Sequence, residues 1–264
     1  MTRLTRLCGF DDVKPQNAMG QIEEGRLTDG KGTIVLVHGA WFGGWVWRDV
    51  ARLLRAEGFD VTTPTMSGLG ERRHQLTSEI DLSTHTDDIV NHIEMEDLRD
   101  VTLVGWSYGG MVANGVLTRV KDRIRTLVYF DAFDPKDGES LADLVNAQPV
   151  RDMALAGQPV PPPDLAQRWN VTDETLLALC ADRVGPHPAK TMTEPVKGFR
   201  ERPQGVNYAY VWCGANPASS FAKFYERASK DPQFAFVERL PHDHVVALTD
   251  PQVSADVIAK AARL

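Results

Sequence analysis

Cysteine is scarce in this chain: Cys8, Cys180 and Cys213 are the only three in 264 residues. The number is odd, the gaps are wide and no C-x-x-C pair occurs. That argues against a disulfide framework and against a structural zinc site. Basic charge is also in short supply. Against 36 Asp and Glu stand 29 Lys and Arg, a formal charge of −7, so nothing in the balance attracts a phosphate backbone. No apolar run reaches the length of a membrane span. The opening M-T-R-L-T-R-L-C-G-F carries two arginines but lacks the apolar centre of a signal peptide. G-L-G at 68–70 does not have the spacing of a phosphate loop, and no metal-ligand spacing is found.

What is present is an ordinary globular composition, 42% hydrophobic and 25% charged, on a chain long enough to bury a sizeable core. Residues 1–32 are polar and without a clear period. They read as an irregular N-terminal extension, with a short strand around Gly20–Leu27. From Thr33 the pattern changes. T-I-V-L-V-H-G, V-T-L-V-G-W and R-T-L-V-Y-F-D-A are short apolar runs rich in β-branched residues, the mark of strands buried on both faces. Asp60–Pro64, Asn207–Cys213 and Phe234–Leu240 read as further strands. Between them lie segments with helical spacing: Val46, Val50, Leu53 and Leu54 before a Gly58 stop, a helix capped by Ser83, Gly109–Val120, and a stretch bearing Phe221, Phe224 and Ala228. Asp250-Pro251 supplies an N-cap and N1 pair for a last helix. The alternation predicts an α/β fold, a doubly wound and mostly parallel sheet in a single domain over 33–264.

One segment breaks the rhythm. From about Asp134 to Pro203 no convincing strand occurs, and P-V-P-P-P-D-L at 159–165 resists both helix and sheet. It reads as an inserted cap with short helices near Ser140–Asn146 and Thr172–Cys180.

The chemistry-bearing motif is G-W-S-Y-G at 105–109. Alone it is weak. Here a buried strand precedes it and a helix follows, the setting of a strained elbow that pushes a serine hydroxyl out above the sheet. Gly105, Gly109 and Gly110 stand where side chains would meet neighbouring backbone. Taken with H-G-A-W-F-G-G-W-V-W at 38–47 and the D-H pair at 243–244, the sequence from Thr33 to Leu264 resembles the α/β-hydrolase superfamily. It is most similar to the branch that holds plant methylesterases, hydroxynitrile lyases and bacterial carboxylesterases.

The resemblance implies site residues. Ser107 is the expected nucleophile. The backbone N–H groups of Ala40, after the H-G turn, and Tyr108, after the nucleophile, are the expected oxyanion donors. Of the seven histidines, His85 and His92 fall in a predicted helix and His74 and His187 in loops. His38 is expected to be structural. His244 aligns with the family base, leaving His242 beside it at the surface or in support. The acid departs from the pattern. Plant members carry it after the strand placed at Asn207–Cys213, where this chain reads G-A-N-P and offers only Asn216. Asp131, at the end of Y-F-D-A, is the expected replacement, as in other α/β-hydrolases that place the acid there. Asp243 is the runner-up, and Asp134 and Asp137 rank lower.

Trp41, Phe42, Trp45, Trp47, Trp106 and Trp169 give an aromatic surplus near the expected mouth. Trp41 is expected to line the acyl pocket, and Trp106, where many relatives have histidine, to look toward the cap. Trp45 and Trp47 read as core. The expectation is a serine carboxylester hydrolase acting through an acyl-enzyme on a small apolar or aromatic ester. An amide or carbamate needs the same parts. A cofactor-free lyase or oxygenase and a low-turnover ligand receptor are the rival classes. Hydroxynitrile lyases of this branch have lysine after the histidine, where this chain has Val245. No cofactor is expected. The expected partner is a small-molecule substrate in the cytoplasm, with neither nucleic acid nor membrane, and the sequence leaves room for a homodimer.

Overall fold

The computed structural model describes residues 31–198 and 200–264. The strand expected around Gly20–Leu27, and Cys8, lie outside the described residues. Six strands form one sheet: β1 (Thr33–Val37), β2 (Asp60–Thr62), β3 (Val101–Trp106), β4 (Ile124–Phe130), β5 (Asn207–Cys213) and β6 (Phe234–Leu240). Their order is β2-β1-β3-β4-β5-β6, and every pairing is parallel. The doubly wound sheet expected from the alternation is therefore present.

Side chains alternate across a strand, and here both faces are covered. Ile34, Leu36, Val104, Trp106, Val128 and Phe130 face one core, packed by α1 (Arg48–Ala56) and, from beyond β6, α10 (Val246–Thr249) and α11 (Pro251–Ala261). Val35, Val37, Leu103, Leu127 and Tyr129 face the other, packed by α2 (Leu82–Met95), α3 (Gly109–Val120) and α9 (Ala222–Ala228). Two-sided burial is why these strands read as unbroken apolar runs. Trp47 is fully buried in the first core, and Trp45 packs partly buried against it.

Helix starts follow local chemistry. Asp250 accepts a hydrogen bond from the Val253 N–H, with Pro251 in the first turn. The expected Ser83 cap is corrected. Asp81 caps α2, accepting from the Thr84 N–H at 2.8 Å, while Thr84 reaches back to the Asp81 N–H. Asp is acceptor-only and stands two residues earlier, at the extended position just before Leu82, so it takes the cap. That leaves Ser83 free to donate its hydroxyl to Glu194 at 2.6 Å.

Between β4 and β5 the cap is built from α4 (Leu141–Leu144), α5 (Gln148–Leu155), α6 (Leu165–Trp169), α7 (Glu174–Ala181) and α8 (Lys190–Thr193). The two helices expected here correspond to α4 and α7. The sequence reading missed α5, α6 and α8, because α5 has no buried residue and the other two span only five and four residues. Cap residues enter both cores: Leu141, Val160 and Met192 join one, Leu165, Val171 and Cys180 the other. Among the described residues no helix is long and apolar enough to cross a membrane.

Candidate active site

The strand order creates the site. The chain leaves β1 toward α1 on one face and β3 toward α3 on the other. Their carboxyl ends therefore part at a topological switch point, where open α/β sheets form their crevices. Ala40 follows β1 and Ser107 follows β3, and both line a cavity of about 410 Å³.

Ser107 sits at φ 57°, a left-handed conformation that few non-glycine residues adopt. The turn closes because its neighbours are bare. A Cβ on Gly105 would lie 2.6 Å from the Gly109 carbonyl oxygen, and one on Gly110 would lie 2.1 Å from that of Phe133. The Phe133 N–H donates to the Ser107 carbonyl, tying the elbow to the chain leaving β4.

Three side chains from three strand ends meet here. The Ser107 hydroxyl donates to His244 Nε2 at 3.0 Å, and His244 Nδ1–H donates to Asp131 Oδ2 at 2.6 Å. Ser107 is 7% exposed, His244 8% and Asp131 1%. Burial pushes the Asp131 carboxyl up from its ordinary range, opposed by the hydrogen bond and charge of His244 and by the Cys213 N–H. That N–H donates to Oδ1 at 3.1 Å. A buried carboxylate with one ionisable partner directs its field at that partner. Asp131 also adopts positive φ, at 42°.

Three aromatic rings pack against the imidazole. Phe221 stacks on it at 4.9 Å and 12°. Trp169 and Trp106 approach at 5.1 Å, both tilted. The helical spacing marks Phe221 only as a core residue; it stands at the start of α9, and its stacking on His244 joins residues 23 apart that no local pattern connects.

The rival candidates have other partners. Asn216 is exposed at the cavity rim and accepts from the Ala218 N–H at 3.0 Å, a local turn. Asp243 accepts from Asn170 Nδ2 at 3.4 Å. Asp134 is buried under Arg202 and Arg227, each 2.6 Å away. His242 lies 3.4 Å from Asp250.

Trp106 is a correction. It is 1% exposed and is not on the cavity wall. As the last residue of β3 it points into the core shared with Phe42, Trp47 and Phe130. Period-two alternation sends it to the face opposite Gly105. Its indole N–H donates to the His244 carbonyl at 3.0 Å, so it anchors the backbone of the histidine loop. Trp41 does line the cavity, with Trp169 at 6.1 Å. Phe133, Leu141, Val150, Val160 and Met192 line its apolar part, and Arg168, Asn216, Ser219 and Asp243 are among its polar lining.

Ala40 and Tyr108 also line the cavity, and neither of their N–H groups is spent on a backbone acceptor in the surrounding turns. His38 braces the first. Its Nε2 accepts from the Met66 N–H at 3.1 Å, so Nδ1–H donates to the Gly39 carbonyl at 2.9 Å. A peptide's C=O and N–H point in opposite directions, so fixing the Gly39 oxygen also fixes the Ala40 N–H. Burial pushes His38 down to about 3. Among the described residues no cluster of three or more His, Cys, Asp or Glu could hold a metal ion.

Comparison with known proteins identifies the family. A carbendazim hydrolyzing esterase of Nocardioides sp. (strain SG-4G) is 49% identical over 133 residues, half of each chain. The polyneuridine aldehyde esterase of Rauvolfia serpentina is 28% identical over 130 residues, 47% of this chain and 48% of the relative. The matched segments thus span about half the length of these curated relatives. Among solved structures, an extracellular alpha/beta-hydrolase from a Paenibacillus species superposes with a TM-score of 0.76 at 28% identity. That match covers 88% of this chain and 99% of the other, whose description reports homology to tobacco salicylic acid binding protein 2. The Alpha/beta hydrolase family matches residues 34–257; with the sheet order, the serine elbow and the histidine after the last strand, this chain belongs to the alpha/beta hydrolase family.

Proposed function

We propose that the protein is a serine hydrolase that cleaves a small apolar or aromatic carboxylic ester through an acyl-enzyme. The observation that carries the reading is the connected pair of hydrogen bonds, Ser107 to His244 at 3.0 Å and His244 to Asp131 at 2.6 Å, opening on a cavity with apolar walls.

In this reading neutral His244 takes the proton of Ser107 as Oγ attacks the ester carbonyl. Asp131 holds the Nδ1–H tautomer and stabilises the imidazolium. The Ala40 and Tyr108 N–H groups hold the oxyanion. Collapse of the intermediate breaks the C–O bond, and His244 passes its proton to the leaving alkoxide. Water, deprotonated by the same nitrogen, then releases the acid and restores Ser107. Trp41, Trp169 and the Leu141–Val150 part of the cap give the substrate flat and apolar contacts. The reading includes a reducing, cytoplasmic setting, supported by the buried free thiols Cys180 and Cys213.

A carbamate is the second reading. It is favoured by the 49%-identical relative, which is named for carbendazim hydrolysis, and it uses the same parts.

The test is direct. The purified protein is incubated with p-nitrophenyl acetate, with a fluorophosphonate probe, and with carbendazim beside a set of aromatic and aliphatic methyl esters. Turnover with probe mass on Ser107 is the expected result. Labelling without turnover points to a ligand receptor, and no labelling removes Ser107 as nucleophile. Faster cleavage of carbendazim than of any ester makes the carbamate the substrate class.

A further inference from the structure

The turn that carries Ala40 is held from the cap. Trp41, the next residue, gives each of its polar groups to cap backbone or side chain. Its N–H donates to His187 Nδ1 at 3.3 Å. Its carbonyl accepts from the Gly185 N–H at 3.2 Å. Its indole N–H donates to the Val160 carbonyl at 3.2 Å. These anchors form one piece, because Val160 and His187 exchange backbone hydrogen bonds at 2.8 and 2.9 Å in an isolated antiparallel bridge.

His187 is fully buried, and Pro186 and Pro188 flank it in the sequence, limiting the backbone on both sides. Its hydrogen bonds fix its tautomer. The Thr191 hydroxyl is spent on the Pro188 carbonyl at 2.7 Å, so it accepts from His187 Nε2–H, also at 2.7 Å. Nδ1 is then the bare nitrogen, with its lone pair toward the Trp41 N–H. Trp41 sits at φ 68°, a conformation that a bulky residue keeps only where its surroundings impose it. Burial, with His85 and His38 nearby, pushes His187 well below its ordinary range, so the acceptor is retained at neutral pH.

We infer that His187 is a positioning residue: the lone pair on its Nδ1, delivered by the cap, holds the Ala40–Trp41 turn in the conformation that presents the Ala40 N–H to the oxyanion. This rests on the serine-hydrolase reading above. The cap is then part of the catalytic frame as well as a wall of the cavity. It also ties Trp41 as an aromatic wall to Trp41 as the neighbour of a donor, so pocket shape and oxyanion stabilisation share one anchor.

The experiment separates the lone pair from the packing. His187→Leu keeps bulk and loses the acceptor. His187→Asn returns an amide oxygen near the Nδ1 position. His187→Gln keeps an amide near Thr191 and brings no acceptor to Trp41. Each variant is assayed for kcat and KM on p-nitrophenyl acetate and for thermal midpoint. Each is also assayed for inhibition by an aryl trifluoromethyl ketone, whose serine adduct carries an oxyanion. The expected result is a kcat lower by about 10- to 100-fold in His187→Leu, with KM little changed. The ketone should weaken by a similar factor, and His187→Asn should recover most of both. If His187→Leu does not fold, a deficit in His187→Gln that His187→Asn lacks supports the same conclusion. Wild-type kcat in folded His187→Leu overturns the inference, as do equal losses in Asn and Gln that follow the thermal midpoint. A wild-type protein that neither turns over nor labels at Ser107 removes the serine-hydrolase reading itself and this inference with it. An active wild type with an unaffected Leu variant removes the inference alone.

Discussion

The buried histidines fall into two groups that are wired differently. His244 has a carboxylate on one nitrogen and a hydroxyl on the other. His38, His85 and His187 have no carboxylate hydrogen-bonded to them. They bond to backbone groups, to Tyr108 and to Thr191. His85 accepts from the Tyr108 hydroxyl at 2.9 Å and donates to the Ser67 carbonyl at 2.9 Å. Burial pushes it down to about 4. Each of the three is locked neutral, and each braces a residue flanking the proposed oxyanion position. All four rings are buried; the partner separates the histidine proposed for proton transfer from the scaffold ones. A carboxylate stabilises the charge gained during proton transfer, whereas a backbone carbonyl or hydroxyl stabilises one neutral tautomer.

The contrast can be broken most severely at the serine. Ser107→Ala is expected to lower kcat on p-nitrophenyl acetate by more than about 10⁴-fold and to abolish fluorophosphonate labelling, with an unchanged circular dichroism spectrum. Removing the charge that distinguishes His244 comes next. Asp131→Asn should cost about 10⁴-fold in kcat, whereas Asn216→Ala should stay within a few-fold. Near-normal kcat in Asp131→Asn would move the acid elsewhere.

The two groups also differ in their linkage to pH. His38 and His85, held at about 3 and about 4 in the fold, bind protons near 6.5 once unfolded. The unfolded chain therefore gains protons first as pH falls. Stability should drop below about pH 6.5 and go on dropping to about pH 4 and then 3, with His85 alone contributing on the order of 3 kcal/mol. Asp131 has the opposite sign, since its raised carboxyl costs stability as pH rises through the ordinary carboxylate range. Thermal midpoints from pH 8 to pH 4 check this. A shallower slope is expected for His85→Gln, whatever its absolute stability. The smallest effect is reserved for Trp106→Phe, which removes the indole donor to the His244 carbonyl but keeps an aromatic ring. About 1 kcal/mol of stability and a few-fold in kcat are expected, read from urea unfolding and steady-state kinetics.

Much of this was legible in the chain. The β3 elbow announces itself because its requirements are local: a buried strand, a serine, and glycines where a Cβ would strike backbone within a few residues or on the adjoining strand. β1, β3 and β4 announce themselves because burial on both faces leaves no polar alternation. Asp131 was legible as a strand-end acid. Its pairing with His244, 113 residues away, was legible only through the family resemblance, which supplied the roles of acid and base. The sequence points Trp106 toward the cap. Strand alternation turns it into the opposite core, and its bond to His244 spans 138 residues.

His187 marks the boundary. Its prolines and its neighbours say only that it lies in an irregular stretch. Its partner Trp41 is 146 residues away, and no local pattern encodes which lone pair meets which N–H. The sequence by itself determined the strands, the elbow and the kinds of group available, because periodicity, backbone sterics and side-chain chemistry act over a few residues. Only the tertiary structure decided which histidine received a carboxylate and which were locked neutral around the turns that follow β1 and β3. Those choices depend on distances between strand ends and cap that exist once the sheet is ordered and both of its faces are buried.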